Sequence, residues 1–250
     1  MDIKRRPFQG VLNILNFNRH FYYYGIAVLA GLLAICFWLK LPSIILILLI
    51  LGFAYGLLMP LIVSAYVYDF SNYYSLNWLD KIIHKDSQTT NVANINAGFD
   101  ETSYLIKNKY ENFELSVFDF YDDELHTEQA IIRARKVSLT YPNTRQIKTH
   151  SIPLDDNSMK YVFLLSTAHE IRDFEEKVAF LKECKRVCAT DGKIIMVEHL
   201  RDFPNFLAFS IGYFHFFSKN TWKKAYNTAG FQKINETKFT PFMSIFECIP

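Results

Sequence analysis

The sequence has few cysteines, little net charge and no internal repeat or low-complexity segment. Its four cysteines, Cys36, Cys184, Cys188 and Cys248, show no paired spacing of the kind that binds zinc or forms a redox motif. We therefore interpret them as reduced cysteines of the core. The formal net charge is only +2 over 250 residues, and no dense basic patch recurs in the C-terminal half. This balance argues against a nucleic-acid-binding surface.

Hydrophobic residues, in contrast, are abundant and unevenly distributed. They make up 50% of the chain, whereas charged residues make up 21%. The excess lies between Phe21 and Tyr68, and the chain after Lys81 has the mixture of an ordinary globular domain. The chain therefore has two regions that are suited to different solvents.

Two apolar stretches, at about 21–39 and 44–67, each approach the roughly 20 residues that a helix needs to cross a bilayer. Only four residues separate them, and Pro42 among these favours a tight reversal. The pattern predicts a transmembrane two-helix hairpin at 21–68. One alternative is a cleaved signal peptide, although the first stretch is long and no small-residue cleavage site follows it. Another is a hairpin buried in a soluble protein, although no other segment is apolar enough to cover it.

Basic residues precede the first stretch, and they set the expected orientation. Lys4, Arg5, Arg6 and Arg19 should keep residues 1–20 in the cytoplasm, and two spans return the chain to the same side. Tyrosines at 22–24 and Trp38 at the other end suit the two membrane interfaces. We therefore expect a two-span membrane protein whose partner is the lipid bilayer and whose C-terminal domain is cytoplasmic.

An aromatic connector, which we place at 69–90, follows the second stretch. Its tyrosines favour either an interfacial segment at headgroup level or a lid over the ligand site of the next domain, and the two interpretations are compatible. We expect Tyr68 and Asp69, at its start, to contact substrate.

Strand and helix patterns alternate through residues 91–250, as is typical of a parallel sheet with crossover helices. Asp173 and Glu176 predict the start of the clearest helix, and Gly192 is expected to close the turn that follows it. The predicted strands are 92–96, 115–120, 146–149, 161–166, 193–198, 232–238 and 242–248, and the predicted helices are 102–109, 127–138, 174–188 and 219–229.

Four segments of this region, in this order, resemble the class I S-adenosylmethionine-dependent methyltransferases that act on small molecules. They are Val92-Ala-Asn-Ile-Asn-Ala-Gly-Phe-Asp100, Ile152-Pro-Leu-Asp-Asp-Asn-Ser-Met-Lys-Tyr-Val162, Gly192-Lys-Ile-Ile-Met-Val-Glu-His199 and the run from Phe216 to Ala-Gly-Phe231. The resemblance implies an α/β fold, a Rossmann-like seven-stranded methyltransferase sheet that follows the transmembrane hairpin. It also implies S-adenosylmethionine as cofactor.

The resemblance assigns cofactor contacts to the first strand ends. Gly98 alone remains of the family's three glycines, since Asn96 and Asp100 stand at the other two positions and Asn94 replaces the usual acid. Asn96 can adopt the left-handed backbone of a glycine. Asp119 lies about 20 residues after Gly98, where such folds hold the ribose hydroxyls, although it could instead belong to a solvated acidic run. The remaining expected cofactor contacts are Phe120, and Thr149 and His150 at the adenine.

Histidines near strand ends are the candidate bases, because a hydroxyl acceptor must lose its proton during methyl transfer. His169 and His199 are the two candidates, with Glu170 and Arg172 expected at the substrate; each histidine could instead be a satisfied polar group. No metal is expected, since the spacing of His126, His169, Glu170, Glu198 and His199 matches no compact ligand motif.

Two further segments have less distinctive patterns. Arg133, Arg135 and Lys136 are most simply a solvated helix face, and the aromatic run 203–217 suits a core helix, a membrane-contacting cover or the wall of an apolar pocket.

The combined prediction is methyl transfer to a lipophilic small molecule at the membrane, such as a phenolic, quinone-like or polyene lipid. The alternative is a catalytically silent protein that binds the cofactor or acts as a scaffold. A nicotinamide-dependent oxidoreductase would need the G-x-G-x-x-G turn, which Asn96-Ala-Gly-Phe-Asp-Glu101 does not provide.

Overall fold

The computed structural model describes residues 5–83, 88–125 and 128–250. Four points of the sequence analysis lie outside them: the contribution of Lys4 to the basic N-terminus, residues 84–87 of the connector, the position of His126, and the start at Thr127 of the predicted helix 127–138.

Three helices precede the sheet. They are α1 (Gln9–Phe17), α2 (Arg19–Trp38) and α3 (Ser43–Ser64). Helices α2 and α3 pack against each other as a hairpin, and the turn between them contains Pro42, which immediately precedes α3. By length and composition both are able to cross a membrane, and almost none of their apolar residues is buried. Helix α1, in the region expected to be only a basic N-terminus, packs on α3 and on a later helix, Gln129–Arg135.

The connector is part of the core. Helix α3 continues into a π-helical turn, Ala65–Phe70, and two short 3₁₀ turns follow at Tyr73–Ser75 and Leu79–Lys81. Leu76 and Leu79 are fully buried against the sheet, in a cluster that includes Val92 and Phe163. The connector therefore covers one face of the sheet as an integral layer.

Seven strands form one sheet in the order β3-β2-β1-β4-β5-β7-β6. Strands β1 to β5 are parallel, and β7 is antiparallel to both β5 and β6. This topology confirms the predicted Rossmann-like methyltransferase sheet. The strands are β1 (Thr90–Asn96), β2 (Phe113–Asp119), β3 (Arg145–Gln146), β4 (Met159–Leu165), β5 (Cys188–His199), β6 (Lys233–Lys238) and β7 (Met243–Ile249), and the remaining helices are α4 (Ser103–Lys109), α5 (Gln129–Arg135), α6 (Phe174–Val187), α7 (Phe203–Phe209) and α8 (Lys219–Thr228).

Both faces of the sheet are buried, because successive strand residues point to opposite sides. Ala93 and Ile95 face a core built with α6 and α8, which contains Leu181 and Trp222. Val92 faces the second core, which contains the connector and α4. The four cysteines are free and buried, as expected for core residues.

The start of α6 agrees with the prediction from sequence, whereas its end does not. Asp173 caps the helix as predicted, and its carboxylate accepts the Glu176 N–H at 2.8 Å. Gly192, however, does not close a turn: α6 leads directly into β5, and Gly192 lies inside that strand near a register shift. A β-carbon there would lie 2.7 Å from the Lys160 carbonyl oxygen. Glycine is needed at this position because another backbone approaches closely.

Candidate active site

A cavity of about 870 Å³ lies between the carboxyl ends of the central strands and the three N-terminal helices. Its size is that of a small-molecule site, and it adjoins the switch point where the strand order reverses between β1 and β4. Its polar end is formed by residues after β1, β4 and β5. Its apolar end is formed by α2, α3 and the aromatic segment 203–217, and the connector supplies Tyr68, Tyr73 and Tyr74 between the two ends.

Two asparagines at the end of β1 line the polar end of this cavity. Asn94 donates through Nδ2 to the hydroxyls of Thr102 and Ser103, at 3.0 and 2.8 Å. Asn96 accepts the N–H of Gly98 on Oδ1 at 2.9 Å. The Nδ2 group of Asn96 is buried and has no hydrogen-bond partner among the described residues.

Asp100, predicted to contact the cofactor, is turned into the protein. Its Oδ1 atom accepts the N–H groups of Thr102 and Ser103, at 3.0 and 2.9 Å, where α4 begins. Burial raises the pKa of the carboxyl group. The side chain does not line the cavity, so its bulk does not obstruct it.

Arg135 occupies the place next to Gly98. Gly98 has a φ of +84°, as a glycine turn requires, but a β-carbon on it would clash with the side chain of Arg135. The same guanidinium stacks on Tyr121, 3.9 Å from the ring centroid, and its Nη1 lies 3.0 Å from Oδ2 of Asp119. The prediction that Arg135 belongs to a solvated helix face is therefore wrong, because the side chain folds back onto the first turn and the second strand.

Besides Gly98 and Asp100, four further predicted cofactor residues lie outside the cavity lining in this conformation. Asp119 is paired with Arg135, and Phe120 is buried against Phe180, with ring centroids 5.2 Å apart. Thr149 is buried and donates its hydroxyl to Glu176 at 2.7 Å, whereas His150 is exposed. The predicted third strand is too short to carry Thr149 and His150 to the site, since β3 ends at Gln146.

The end of β4 contributes a polar group that the sequence analysis did not identify. Thr167 lines the cavity, and its buried hydroxyl has no partner in the part of the chain that the structure describes. Strands β1 and β4 are neighbours, so this hydroxyl and the unpaired Asn96 amide belong to the same polar end. Buried polar groups normally have hydrogen-bond partners. Two such groups that line a cavity and have no partner therefore indicate that a polar ligand binds there.

His199 and Tyr68, both predicted site residues, meet in the cavity. The Nδ1 atom of His199 lies 2.9 Å from the carbonyl oxygen of Phe242, which can only accept, so Nδ1 carries the proton. The Tyr68 hydroxyl therefore donates to Nε2 at 2.9 Å. Burial lowers the pKa of His199 to about 4, despite hydrogen bonding to Asn205 and the charge of Glu198. The imidazole is neutral at physiological pH.

His169 lies in the opposite electrostatic environment. Its Nδ1 atom is 2.7 Å from Oε2 of the buried Glu198, and its Nε2 atom is 3.4 Å from Oε1 of Glu170. Burial lowers the pKa of His169, but the charges and hydrogen bonds of Glu198 and Glu170 outweigh this effect and raise it to about 10. With no other ligand, His169 is therefore a cation held between two carboxylates.

Of the remaining predicted substrate residues, two line the cavity and one does not. Glu170 and Arg172 line the cavity, and Arg172 donates through Nη1 to the carbonyl oxygens of His169 and His215, at 3.2 and 2.7 Å. Asp69 does not line it. The Asp69 carboxylate instead accepts the N–H groups of Gly10 and Val11, at 2.8 and 3.0 Å, and so attaches α1 to the connector.

Glu101 connects the N-terminus to the cavity, and sequence analysis missed it. Its Oε1 atom accepts hydrogen bonds from Arg5 at 2.7 Å and from Gln9 and Asn13 at 3.1 and 3.2 Å, and its Oε2 atom accepts one from the Tyr74 hydroxyl. Since these partners lie 27 to 96 residues away in sequence, no local pattern could have revealed the cluster.

The aromatic segment 203–217 is both a cover and a wall of the cavity. Phe209 and Phe216 pack against His199, with ring centroids 5.3 and 5.0 Å from the imidazole. Ile211 and Phe214 line the cavity and are also 79% and 62% exposed at the surface. Apolar side chains therefore continue from the site to the outside of the molecule.

Comparison with known proteins supports a methyltransferase fold. Residues 102–196 match a family profile described as "Methyltransferase domain". A solved S-adenosylmethionine-dependent methyltransferase from Aquifex aeolicus is 18% identical, with a TM-score of 0.50 over 73% of this chain and 94% of that one. No curated protein matches the chain by sequence.

Two further solved structures share the fold. A protein from Pyrococcus horikoshii OT3 is 17% identical, with a TM-score of 0.53 over 72% of this chain and 90% of that one. PigF, which was solved with S-adenosylhomocysteine, is 13% identical, with a TM-score of 0.51 over 76% of this chain and 58% of that one.

Proposed function

We propose that this chain, which has a matched methyltransferase domain at residues 102–196 and shares its fold with an S-adenosylmethionine-dependent methyltransferase, methylates a lipophilic small molecule taken from a membrane. Phenolic, quinone-like and polyene lipids are the acceptor classes that we favour. The observation that carries the proposal is the form of the cavity. A single space joins the polar strand ends of a methyltransferase sheet to the apolar helices α2 and α3.

The hairpin contributes directly to the cavity wall. Phe21 from α2 and Leu57 and Pro60 from α3 line it. The hydroxyl of Tyr55 donates to the carbonyl oxygen of Leu207 at 2.7 Å, which attaches α3 to the aromatic segment. An apolar substrate dissolved in hydrocarbon would find a continuous apolar route between these elements, and burial of its surface there would favour binding.

Membrane anchorage is the second part of the proposal. Exposed side chains along α2 and α3 include Ile26, Ile35, Leu48 and Leu51, and covering such surface with lipid would remove it from water. Arg5, Arg6 and Arg19 lie before the first span, so the positive-inside rule favours a cytoplasmic catalytic domain.

The polar end of the cavity contains groups that suit the cofactor. The amide of Asn96 and the hydroxyl of Thr167 are unpaired donors among the described residues, and they fit the polar amino-acid part of the molecule. When bound, S-adenosylmethionine supplies an electrophilic methyl group on its sulfonium sulfur. At the sugar end Arg135 holds Asp119, and this pair must open before Asp119 can accept ribose hydroxyls.

His199 and Tyr68 are the groups that we assign to proton transfer. The neutral imidazole can take a proton through its Nε2 atom, and the hydroxyl of Tyr68, which also lines the cavity, hydrogen-bonds to that atom. A hydroxyl acceptor would pass its proton to Tyr68 as Tyr68 passes its own to His199. His169 is less suited to this role because it is already protonated near neutral pH.

Transfer of a radioactive methyl group to lipids tests the proposal. The full chain, reconstituted in lipid nanodiscs, is incubated with methyl-labelled S-adenosylmethionine and lipid extracts, and the products are partitioned into organic solvent. We expect label in the organic phase, and a decrease of about 100-fold or more for His199→Asn at unchanged cofactor affinity. Tyr104→Phe, which changes a tyrosine outside the cavity lining, serves as the matched control. Label that appears only in water-soluble acceptors would refute a lipophilic substrate.

One observation favours a second function, that of a catalytically silent cofactor-binding or scaffold protein. Arg135 covers Gly98 and neutralises Asp119, as would be expected if neither group served a cofactor. Binding of S-adenosylmethionine without turnover of any lipid or aqueous extract would support this alternative. Turnover by the wild-type chain would exclude it.

A further inference from the structure

Three potential metal ligands converge on the wall of the cavity. One nitrogen each of His169 and His215 and one carboxylate oxygen of Glu170 all lie within 4.8 Å of one another. The two imidazole rings meet edge to face, with centroids 5.0 Å apart. Ligands of a tetrahedral ion at metal distances of 2.0–2.2 Å lie about 3.4 Å apart, so small side-chain movements would close the site.

Each histidine is oriented by a carboxylate on its Nδ1 side. Glu198 lies 2.7 Å from Nδ1 of His169, and Glu128 lies 3.2 Å from Nδ1 of His215. Carboxylates accept these N–H groups, so the Nε2 atom of each ring is left as the ligand. Metal-binding histidines almost always have such an outer partner, which fixes the ring and increases its basicity.

The charges around the cluster also suit a cation. Three carboxylates, those of Glu128, Glu170 and Glu198, surround the two histidines. The fixed positive groups nearby include Arg172 and Arg201, which bond to backbone carbonyls, and Lys177, which lies over Phe217. The groups in direct contact with the two imidazole rings are carboxylates, and a bound divalent cation would offset part of their negative charge.

His169, Glu170 and His215 come from distant parts of the chain, and hydrogen bonds to the backbone keep these parts close together. Arg172 bridges the carbonyl oxygens of His169 and His215, so the loop after β4 and the aromatic segment cannot separate freely. The sequence analysis expected no metal site, and of the residues that it considered, Glu198 contacts Nδ1 of His169 and His199 pairs with Tyr68. His215, which completes the group, lies 45 residues after Glu170.

We infer that His169, Glu170 and His215 bind a divalent transition-metal ion, with an open coordination position toward the cavity. Two histidines and one carboxylate favour ions such as Zn²⁺ or Fe²⁺ over Mg²⁺, which prefers oxygen ligands. The exposed fractions of the three side chains are 16%, 12% and 29%, so the cavity side of the cluster is accessible to a further ligand. The inference concerns metal binding and does not depend on the identity of the methyl acceptor.

Titration of the full chain with Zn²⁺ tests the inference. The protein is purified in detergent without a histidine tag, treated with chelator, and titrated in a calorimeter. We expect one ion per chain, and an increase in the dissociation constant of more than 10-fold for His215→Ala and for Glu170→Gln. Glu128→Gln, which changes only an outer carboxylate, should increase it about 10-fold. Excess Mg²⁺ should not compete.

Two controls separate the metal site from general effects on folding. His150→Ala removes an exposed histidine outside the cavity and should leave zinc binding unchanged. Thermal unfolding of each metal-free variant identifies any that fail to fold, and Glu170→Gln, which preserves shape, is the decisive one. A wild-type chain that binds no stoichiometric Zn²⁺, Fe²⁺ or Mn²⁺ would overturn the inference, as would equal binding by the folded Glu170→Gln variant. The cluster would then be an ion pair of protonated His169.

Discussion

The guanidinium of Arg135 and the carboxylate of Asp119 form an ion pair, with Nη1 3.0 Å from Oδ2. The pair stands where a cofactor of this fold would place its sugar. Arg135 also packs on Gly98, so one side chain covers both Gly98 and Asp119, the two positions that we propose for cofactor binding. If Asp119 accepts the ribose hydroxyls, this ion pair must open first.

Arg135→Ala should strengthen binding of S-adenosylmethionine by up to about 5-fold. The variant removes the competing cation from Asp119 and uncovers Gly98, and an ion pair that is partly exposed is worth at most roughly 1 kcal/mol, or about a factor of 5 in affinity. Calorimetry of the full chain measures the change. Lys136→Ala, at an exposed position just after the same helix, should have no effect. Unchanged or weaker binding by Arg135→Ala would show that Arg135 does not compete with the cofactor.

Thr167→Val should weaken cofactor binding without destabilising the protein. The buried hydroxyl of Thr167 has no partner in the described ranges, so replacing it should leave the free energy of unfolding unchanged or raise it by up to about 1 kcal/mol. Loss of one hydrogen bond to the cofactor should increase its dissociation constant about 5- to 10-fold.

The buried and hydrogen-bonded Thr149 provides the opposite comparison. Thr149→Val should lower the free energy of unfolding, because it leaves Glu176 without its 2.7 Å hydrogen bond, and it should not change cofactor affinity. If the Thr167→Val variant is less stable and binds the cofactor normally, the assignment of Thr167 to the cofactor is incorrect.

Glu101→Ala should destabilise the protein by about 2–4 kcal/mol, because it leaves Arg5 and the Tyr74 hydroxyl without their carboxylate partner in a largely buried position. Helix α1 should be held less firmly, since its residues Gln9 and Asn13 bond to the same oxygen, although the bonds of Gly10 and Val11 to Asp69 remain. Chemical denaturation in detergent gives the free energy, and limited proteolysis reports on α1. Glu114→Ala, at an exposed position of β2, should change neither quantity, and a loss below about 0.5 kcal/mol would show that the cluster does not hold α1.

His199 should make the stability of the protein depend on pH in the acid range. Its pKa is lowered from 6.5 to about 4 by burial, so the unfolded chain binds this proton more readily than the folded chain does. The stability that the neutral, buried His199 contributes is therefore fully present above pH 6.5. It is lost as the pH falls toward 4, by about 3 kcal/mol in total.

Unfolding curves of the wild-type chain and His199→Asn between pH 4.5 and 7.5 check this dependence. Asparagine keeps an N–H group that can reach the carbonyl oxygen of Phe242 but does not titrate. The wild-type chain should therefore lose more stability than the variant over this range. Parallel curves for the two proteins would mean that His199 titrates normally and is not buried as described.

Much of the fold was predictable because local patterns carry it. Long apolar stretches around Pro42 indicate two helices, and the alternation of strand and helix patterns after Asn91 indicates a parallel sheet. The Asp173 cap depends on residues only three positions apart and was confirmed. Gly192 was misplaced because the close approach of the Lys160 backbone, which explains it, comes from another strand.

The candidate site was predictable only in part. His199, His169, Tyr68 and Asn96 could be proposed because they lie next to strand ends or the hairpin, and the topology brings such positions to one edge of the sheet. Side-chain partners could not be inferred in this way. Arg135 and Asp119 are only 16 residues apart, yet their pairing depends on how α5 packs over the first turn.

The amino-acid sequence by itself determined the division into an apolar hairpin and an α/β domain, because hydrophobic periodicity and chain length act locally along the backbone. The tertiary structure alone decided that Arg135 covers Gly98, that Glu101 holds α1, and that His215 joins His169 and Glu170. These relationships arise from packing between segments that are distant in the chain, and no local pattern of residues specifies them.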